Sequence, residues 1–420
     1  MLHVEETWDR AAIEDHQTRC LRRLSDRLHQ TDHPLYGGRL PALSDVDAIQ
    51  DWPLTTKDQL RDLTPTELLA PDAGPIARTH ASSGTTGQPT LIAYSANDLD
   101  RFADLVARSL HTAGARRGEV LHNAYGYGLF TGGLGLHDGG ARLGLHVVPV
   151  SGGMTDRQID LIHRLQPDVL SCTPSYALAL ADAWFRTHQT APAIRTAVLG
   201  AEPWTEAMRT EFEDRFGLTA TNIYGLSEVL GPGVAQEDAS ERGSGSYVWE
   251  DHFLPEIIDP ETGEVLEDGS EGELVLTTLQ KDALPLIRYR TGDLTSIHRD
   301  PHGARQHRKI APIRGRVDDM LIVRGVNLHP GAIRRVLDDH PALGAYVQLV
   351  VSRRDRLDRL TIRFEHPRPK DDETTGFARL VSDQLRATIG LTVDVRPAAV
   401  GTLPRSSGGK TSWILDERPT

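Results

Sequence analysis

The stretch VVPVSGGMTDRQIDLIHRLQPDVLSCTPSYALALADAWFRTHQTAPAIRTAVLG (147–200) decides the fold class. Short apolar runs at Val147–Val150, Val169–Leu170 and Thr196–Leu199 have the length of buried strands, and Asp156–Leu165 and Pro174–Thr187 between them read as helices. Strand and helix in strict alternation indicate a parallel sheet with helical crossovers. Such sheets hold ligands at the carboxyl ends of their strands. The same alternation extends over residues 75–230, and residues 5–30 read as a helix, with Trp8, Ile13, Leu21, Leu24 and Leu28 at near-helical spacing.

Further along, the texture changes. EIIDPETGEVLEDGSEGELVLTTL (256–279) carries turn signals at Asp259-Pro260, Thr262-Gly263 and Asp268-Gly269, and Glu273–Thr277 alternates with period two. This predicts an antiparallel β layer or small barrel at the end of the large domain. A boundary is expected at RGRVDDM (314–320). Beyond it, strands at Met320–Val323, Tyr346–Val351 and Leu360–Phe364 and helices at Gly331–Asp339 and Thr375–Ile389 make a small α+β domain. HPRPKDDETT (366–375) reads as a surface loop. The expectation is therefore an α/β protein of two domains, a large one over 1–316 and a small, mobile one over 317–420.

Composition narrows the function classes. With a formal net charge of −13 and no Lys/Arg block, nucleic acid and anionic membrane surfaces are poor partners. No 18-residue apolar run suggests a membrane span. The N-terminus lacks the pattern of a signal peptide, and Cys20 and Cys172 lack disulfide-framework or metal-ligand spacing, which predicts a cytoplasmic protein. Lysine occurs only at 57, 281, 309, 370 and 410, so each one merits individual attention.

The strongest local motif is HASSGTTGQPT (80–90). Ser82, Ser83, Thr85 and Thr86 interleaved with Gly84 and Gly87 let N–H and O–H groups surround phosphate oxygens at short range. It is not the GxxxxGK[ST] pattern. Taken alone, such a cluster is more often a polar surface loop.

It is not alone. HNAYGYGLFTGGLGLH (122–137), SGGMTDRQ (151–158), GAEPWTEAMR (200–209), YGLSEVLGPGV (224–234), WEDHFLPEIIDPETGE (249–264), ALPLIRYRTGDL (283–294), GRVDDMLIVRGVNLHP (315–330) and LPRSSGGK (403–410) follow in order. With PLTTKDQLRD (53–62), these blocks make the chain resemble the phenylacetate–CoA ligase branch of the adenylate-forming superfamily. The resemblance implies ATP-dependent activation of an aromatic carboxylic acid as its acyl-adenylate, with Mg²⁺, and transfer to CoA. Ser82–Gly87 is implied to grip the β- and γ-phosphates and Glu228 to hold Mg²⁺. The adenine would be flanked by Tyr224 and the segment Gly200-Ala201-Glu202, with Asn222, Gly225 and Ser227 in the same nucleotide site. Asp293 is implied to accept from the ribose hydroxyls, or it is an Asx-turn residue; Arg316 completes the ribose or phosphate contacts. Lys410 is the implied catalytic cation, bridging carboxylate and α-phosphate, and Asp318 the hinge about which the small domain rotates.

Tyr125, Tyr127, Phe130, Gly132 and Gly133 would line a flat slot for the ring, with His252 near it. Three departures from the branch stand out. Gln88 replaces a common lysine. Asp138 replaces a tyrosine and either meets a polar ring substituent or faces solvent. The 233–238 and 245–251 segments lack Cys and His that relatives carry. These departures leave other acceptors open: a carrier-protein thiol, an amine, or a small nitrogen nucleophile such as nitrite. A non-catalytic nucleotide sensor is opposed by the presence of Glu228, Asp293 and Lys410. A homodimer is implied by resemblance alone.

Overall fold

The structure, a computed structural model, describes every residue except 30–31, 83–88, 318–320, 324–325, 329, 355–356, 407–412 and 418–420. The predicted N-terminal helix is α1 (Arg10–His29); it starts after Trp8, behind a 3₁₀ turn at Val4–Thr7. Ile13, Leu21, Leu24 and Leu28 are buried along it, and the last three pack with Tyr36, Trp52, Leu254 and Ile287.

The chain continues through α2 (Lys57–Arg61), the hairpin β1 (Arg78–Ser82) and β2 (Thr90–Tyr94), and α3 (Ala96–Thr112). Then strand and helix alternate as expected: β3 (Val120–Asn123), α4 (Thr131–Leu143), β4 (His146–Pro149), α5 (Thr155–Leu165), β5 (Val169–Cys172), α6 (Pro174–Phe185), β6 (Thr196–Gly200), α7 (Glu206–Phe216) and β7 (Thr219–Leu226). The five strands are parallel in the order β4-β3-β5-β6-β7. Strand order reverses between β3 and β5, and a crevice opens at the carboxyl ends of strands on either side of such a reversal.

After β7 the chain turns back at 227–230 instead of crossing over through a helix, so the next strand lies antiparallel on β7. The sheet grows through β8 (Gly231–Glu237), β9 (Ser246–Val248), β10 (Phe253–Ile258), β11 (Glu271–Thr278), β12 (Tyr289–His298), β13 (Lys309–Ile310) and β14 (Gly315–Arg316). The antiparallel layer expected from sequence is thus present. It is not a detached barrel, because β9 pairs with β8 and β13 links β9 to β12, giving one twelve-stranded sheet.

The remaining elements are β15 (Leu321–Val323), β16 (Val326–Leu328), α8 (Pro330–Asp338), β17 (Val347–Arg354), β18 (Leu357–Glu365), α9 (Asp372–Ile389), β19 (Val393–Ala398) and β20 (Ile414–Asp416). β15 and β16 pair with each other, and the later strands form a separate four-stranded sheet, β19-β18-β17-β20; the core here includes Ile333, Val351, Ile362, Phe364, Val381 and Leu385. Helix α9 begins inside the stretch read as a loop; Asp372 and Glu373 suit the positive end of a helix dipole. This C-terminal part meets the first part through Arg405. Its Nε donates to Asp182 of α6 at 3.2 Å, its NH groups bind Glu365, and its guanidinium lies 3.5 Å over the Tyr346 ring. Tyr346 and Ala345 pack against the core under α6 and α7.

Candidate active site

Residues at the carboxyl ends of β3, β6 and β7 gather around the crevice. The end of β6 is tightly specified. A Cβ on Gly200 would stand 2.1 Å from the Ile223 carbonyl oxygen, so only glycine fits. Ala201 then adopts φ 72°, a left-handed conformation costly for a residue with a side chain and typical of functional turns. Glu202 is drawn to the start of α6, where its carboxylate accepts the Ser175 N–H at 2.7 Å.

From the end of β3, Asn123 organises the predicted ring slot. It is fully buried; its amide donates to the Tyr127 hydroxyl and the Gly133 carbonyl, both at 2.8 Å, while its carbonyl accepts from Ser171 at 3.0 Å. Burial pushes the Tyr127 phenol up to about 12. Tyr125 is buried against Gly200, Glu202 and Cys172, and that burial lifts its phenol well above the ordinary value. A Cβ on Gly132 would strike the Phe130 ring at 2.3 Å, and one on Gly133 the Gly126 carbonyl at 2.5 Å. The ring of Phe130 therefore packs directly on Gly132. Asp138 does not stand free beside this slot: it pairs with Arg78 of β1 at 2.8 Å.

At the turn after β7, Glu228 is the focus. Its carboxylate, 2% exposed, accepts from Ser82 Oγ at 2.7 Å and faces Lys57 Nζ at 3.2 Å. Burial alone would raise this carboxyl; the Lys57 charge and the Ser82 hydrogen bond outweigh it, and Glu228 stays below the usual carboxylate range. Tyr289, buried at the start of β12, also reaches Glu228. Below the turn, the fully buried Lys281 donates to the Glu228 main-chain carbonyl; burial lowers its ammonium to about 8, against the pull of Asp98 and Glu228. Ser227 is buried, and its Oγ meets Thr131 Oγ1 at 3.2 Å. Gly225 allows β7 and β8 to close on each other, since a Cβ there would lie 1.8 Å from the Gly231 carbonyl.

A second acid lies close by. Asp293 accepts from the Tyr224 hydroxyl and from Arg316, each at 2.7 Å and on different oxygens. Tyr289 lies between the two acids, near Glu228, Asp293 and Arg316 at once. Asn222 is turned toward Trp204, whose Nε1 donates to it at 3.1 Å.

One predicted residue lies apart from these groups, and several fall outside the described residues. His252 sits against Asp251, Arg108 and Arg101, not among the groups at Glu228. Residues 83–87, Asp318 and Lys410 fall outside the described residues. Lys57, Lys281, Tyr94, Tyr289 and Asn123 belong to the site although sequence reasoning assigned them no role; the rarity of lysine was the one usable signal.

The donor set suits Mg²⁺, a hard cation that needs only one or two protein carboxylates when phosphates and water supply its other ligands. Glu228 is ionised and flanked by oxygen donors. Among the described residues, no cluster of three or more His, Cys, Asp or Glu could hold a metal without outside ligands. No described helix is long and apolar enough to cross a membrane.

The His252 surroundings carry a pH prediction. Burial, with Arg108 and Arg101, lowers its folded pKa to about 4 from 6.5, and Arg10 and Arg308 help lower Glu250 to about 2 from 4.5 despite burial. Protonation of either group favours the unfolded chain. The histidine contribution is complete above pH 6.5 and is lost as pH falls toward 4; the Glu250 contribution is lost between 4.5 and 2. The thermal midpoint should therefore fall from pH 6.5 downward, and His252→Asn should make that first segment shallower by up to about 3 kcal/mol, leaving the part due to the likewise lowered His33, His80, His111 and His122. An unchanged profile in the variant would contradict the assignment.

Residues 17–280 match the AMP-binding enzyme family, and residues 325–418 match the AMP-binding enzyme C-terminal domain. The phenylacetate-coenzyme A ligase of Thermus thermophilus is 49% identical over 386 residues, covering 87% of this chain and 86% of that protein. The Pseudomonas putida phenylacetate-coenzyme A ligase is 44% identical over 434 residues, covering 100% of this chain and 97% of that protein. Among solved structures, 2-hydroxyisobutyryl-CoA ligase in its postadenylation state superposes with a TM-score of 0.84 at 22% identity, covering 98% and 91% of the two chains. The same ligase in its thioesterification state scores 0.69 at 22% identity, covering 99% and 91%. The chain belongs to the AMP-binding enzyme family, the adenylate-forming superfamily. Within it, the chain falls in the phenylacetate–CoA ligase branch and is an AMP-forming ligase.

Proposed function

We propose that this enzyme activates an aromatic carboxylic acid, of the phenylacetate type, with ATP and passes the acyl group to CoA. The observation that carries the reading is the convergence of Ser82, Lys57 and Tyr289 on the buried, ionised Glu228, beside Asp293 with Tyr224 and Arg316. In the first step a carboxylate oxygen attacks the α-phosphorus of ATP and pyrophosphate leaves. The protein's task is to align two anions and to meet their charge. Glu228 would hold Mg²⁺ together with phosphate oxygens, and the ion would supply positive charge at the pyrophosphate end. Lys57 brings a cation to the phosphate end, where Gln88 supplies none. Asp293 fixes the ribose, Tyr224 and residues 200–202 flank the base, and Ser82–Gly87 cradle the phosphates. Lys410 bridges carboxylate and α-phosphate. In the second step the CoA sulfur attacks the acyl carbon, the thiol proton is lost and AMP leaves. The C-terminal part, residues 317–420, turns about Asp318 between the steps.

The acceptor is taken as CoA because relatives covering nearly the whole chain are CoA ligases by name. The Arg78 partner of Asp138 argues against a dedicated site for a cationic ring substituent. The test is a panel of benzoic, phenylacetic and cinnamic acids and their amino and hydroxyl derivatives, trapped with hydroxylamine, with and without CoA. Phenylacetate-type acids should give AMP and a thioester with no advantage for amino substituents. AMP formation that requires an acceptor other than CoA would sink the reading.

A further inference from the structure

Directly beneath Glu228 lies a charged group that neither step uses. Lys281, in the turn between β11 and β12, is 1% exposed. Its Nζ donates to the Glu228 carbonyl at 2.5 Å and stands 5.1 Å from the centre of the Tyr94 ring. Tyr94, at the end of β2, donates its hydroxyl to the Ser227 carbonyl. Two successive carbonyls of one turn are thus taken by side chains from two distant segments, the end of β2 and the turn after β11. The turn carrying Lys281 is itself fixed: Asp98, buried at the start of α3, accepts the N–H groups of Asp282 at 2.6 Å and Ala283 at 2.9 Å. Burying an ammonium is unfavourable, and a methionine of similar length would pack in its place at no loss if packing were the only task.

We propose that Lys281 is the positioning residue of Glu228: with Tyr94 it clamps the 227–228 main chain so that the Glu228 carboxylate points at one place beside Ser82 and Lys57. The use of that place for Mg²⁺ rests on the function proposed above. The clamp itself does not. Groups that orient a metal-binding side chain from behind typically change metal affinity or activity about 10- to 100-fold when removed.

The test compares the full-length protein with Lys281→Met, which keeps volume and removes the donor. Tyr94→Phe, which removes only the other carbonyl donor, serves as the milder variant should the first fail to fold. Amide hydrogen exchange in the peptide spanning 224–232 is read beside the thermal midpoint and the Mg²⁺ concentration that half-saturates acid-dependent pyrophosphate release. The Val229 and Leu230 amides bond to the Leu226 carbonyl inside this turn and report on it directly. Lys281→Met should speed exchange in that peptide about tenfold at an equal or higher midpoint, and raise the half-saturating Mg²⁺ about tenfold. Tyr94→Phe should do both to a smaller extent. Three results would overturn the proposal: unchanged turn exchange, a loosened turn with unchanged Mg²⁺ demand, or faster exchange everywhere with a lower midpoint. If the wild type releases no acid-dependent pyrophosphate, the proposed function fails, and turn exchange alone decides the clamp.

Discussion

Glu228→Gln is expected to lower acid-dependent pyrophosphate release about 10²- to 10³-fold, the scale on which removal of a fixed charge-stabilising group acts. The substitution keeps the shape of the side chain and deletes its charge. That charge is what the surroundings preserve: burial opposes ionisation, yet Lys57 and Ser82 hold the carboxyl below its usual range. Without the charge, Mg²⁺ would lose the carboxylate proposed to hold it, and Lys57 would lose its partner at 3.2 Å. Lys57 is partly exposed, so its unpaired ammonium can stay hydrated and the fold should survive; the thermal midpoint checks this. Thioester formation from a preformed acyl-adenylate has no pyrophosphate to neutralise and should change about threefold or less. A loss below about fivefold in the first half-reaction would remove Glu228 from the role given to it.

Lys410→Ala is expected to slow adenylation by about 10²-fold or more while sparing thioester formation from preformed adenylate. Approach of a carboxylate to a phosphate brings two anions together, and an ammonium that meets both lowers that barrier in the transition state. Arg405, five positions earlier in the chain, is held by Asp182 on one side and Glu365 on the other. Pyrophosphate release without CoA isolates the first half-reaction. Adenylation within about threefold of wild type would mean that the positive charge comes from elsewhere, with Lys57 the first alternative.

The fold class was legible because it rests on local pattern. The runs at 147–150, 169–170 and 196–199 became β4, β5 and β6 within a few residues, and the apolar face of residues 5–30 became α1. Continuity of the antiparallel strands with the main sheet was not legible, since it depends on how β7 ends and not on the period of the later strands. Glu228, Asp293 and Tyr224 were visible through ordered motifs. Their supports were not. Lys57 reaches Glu228 because Thr55 pairs with Tyr289 on β12, and Lys281 does so because Asp98 fixes the loop that carries it. Such contacts join segments far apart in the chain and leave no periodic trace. The partner of Asp138 was hidden for the same reason, and His252 followed its neighbour Asp251 into the ionic network around Arg108.

The central claim is an acyl-adenylate made before CoA is needed. The direct measurement is exchange of labelled pyrophosphate into ATP, driven by phenylacetate, with CoA absent. The account predicts acid-dependent exchange that disappears in Glu228→Gln, with AMP as the nucleotide product once CoA is added. Exchange that requires CoA, or turnover that yields ADP and phosphate, would contradict it.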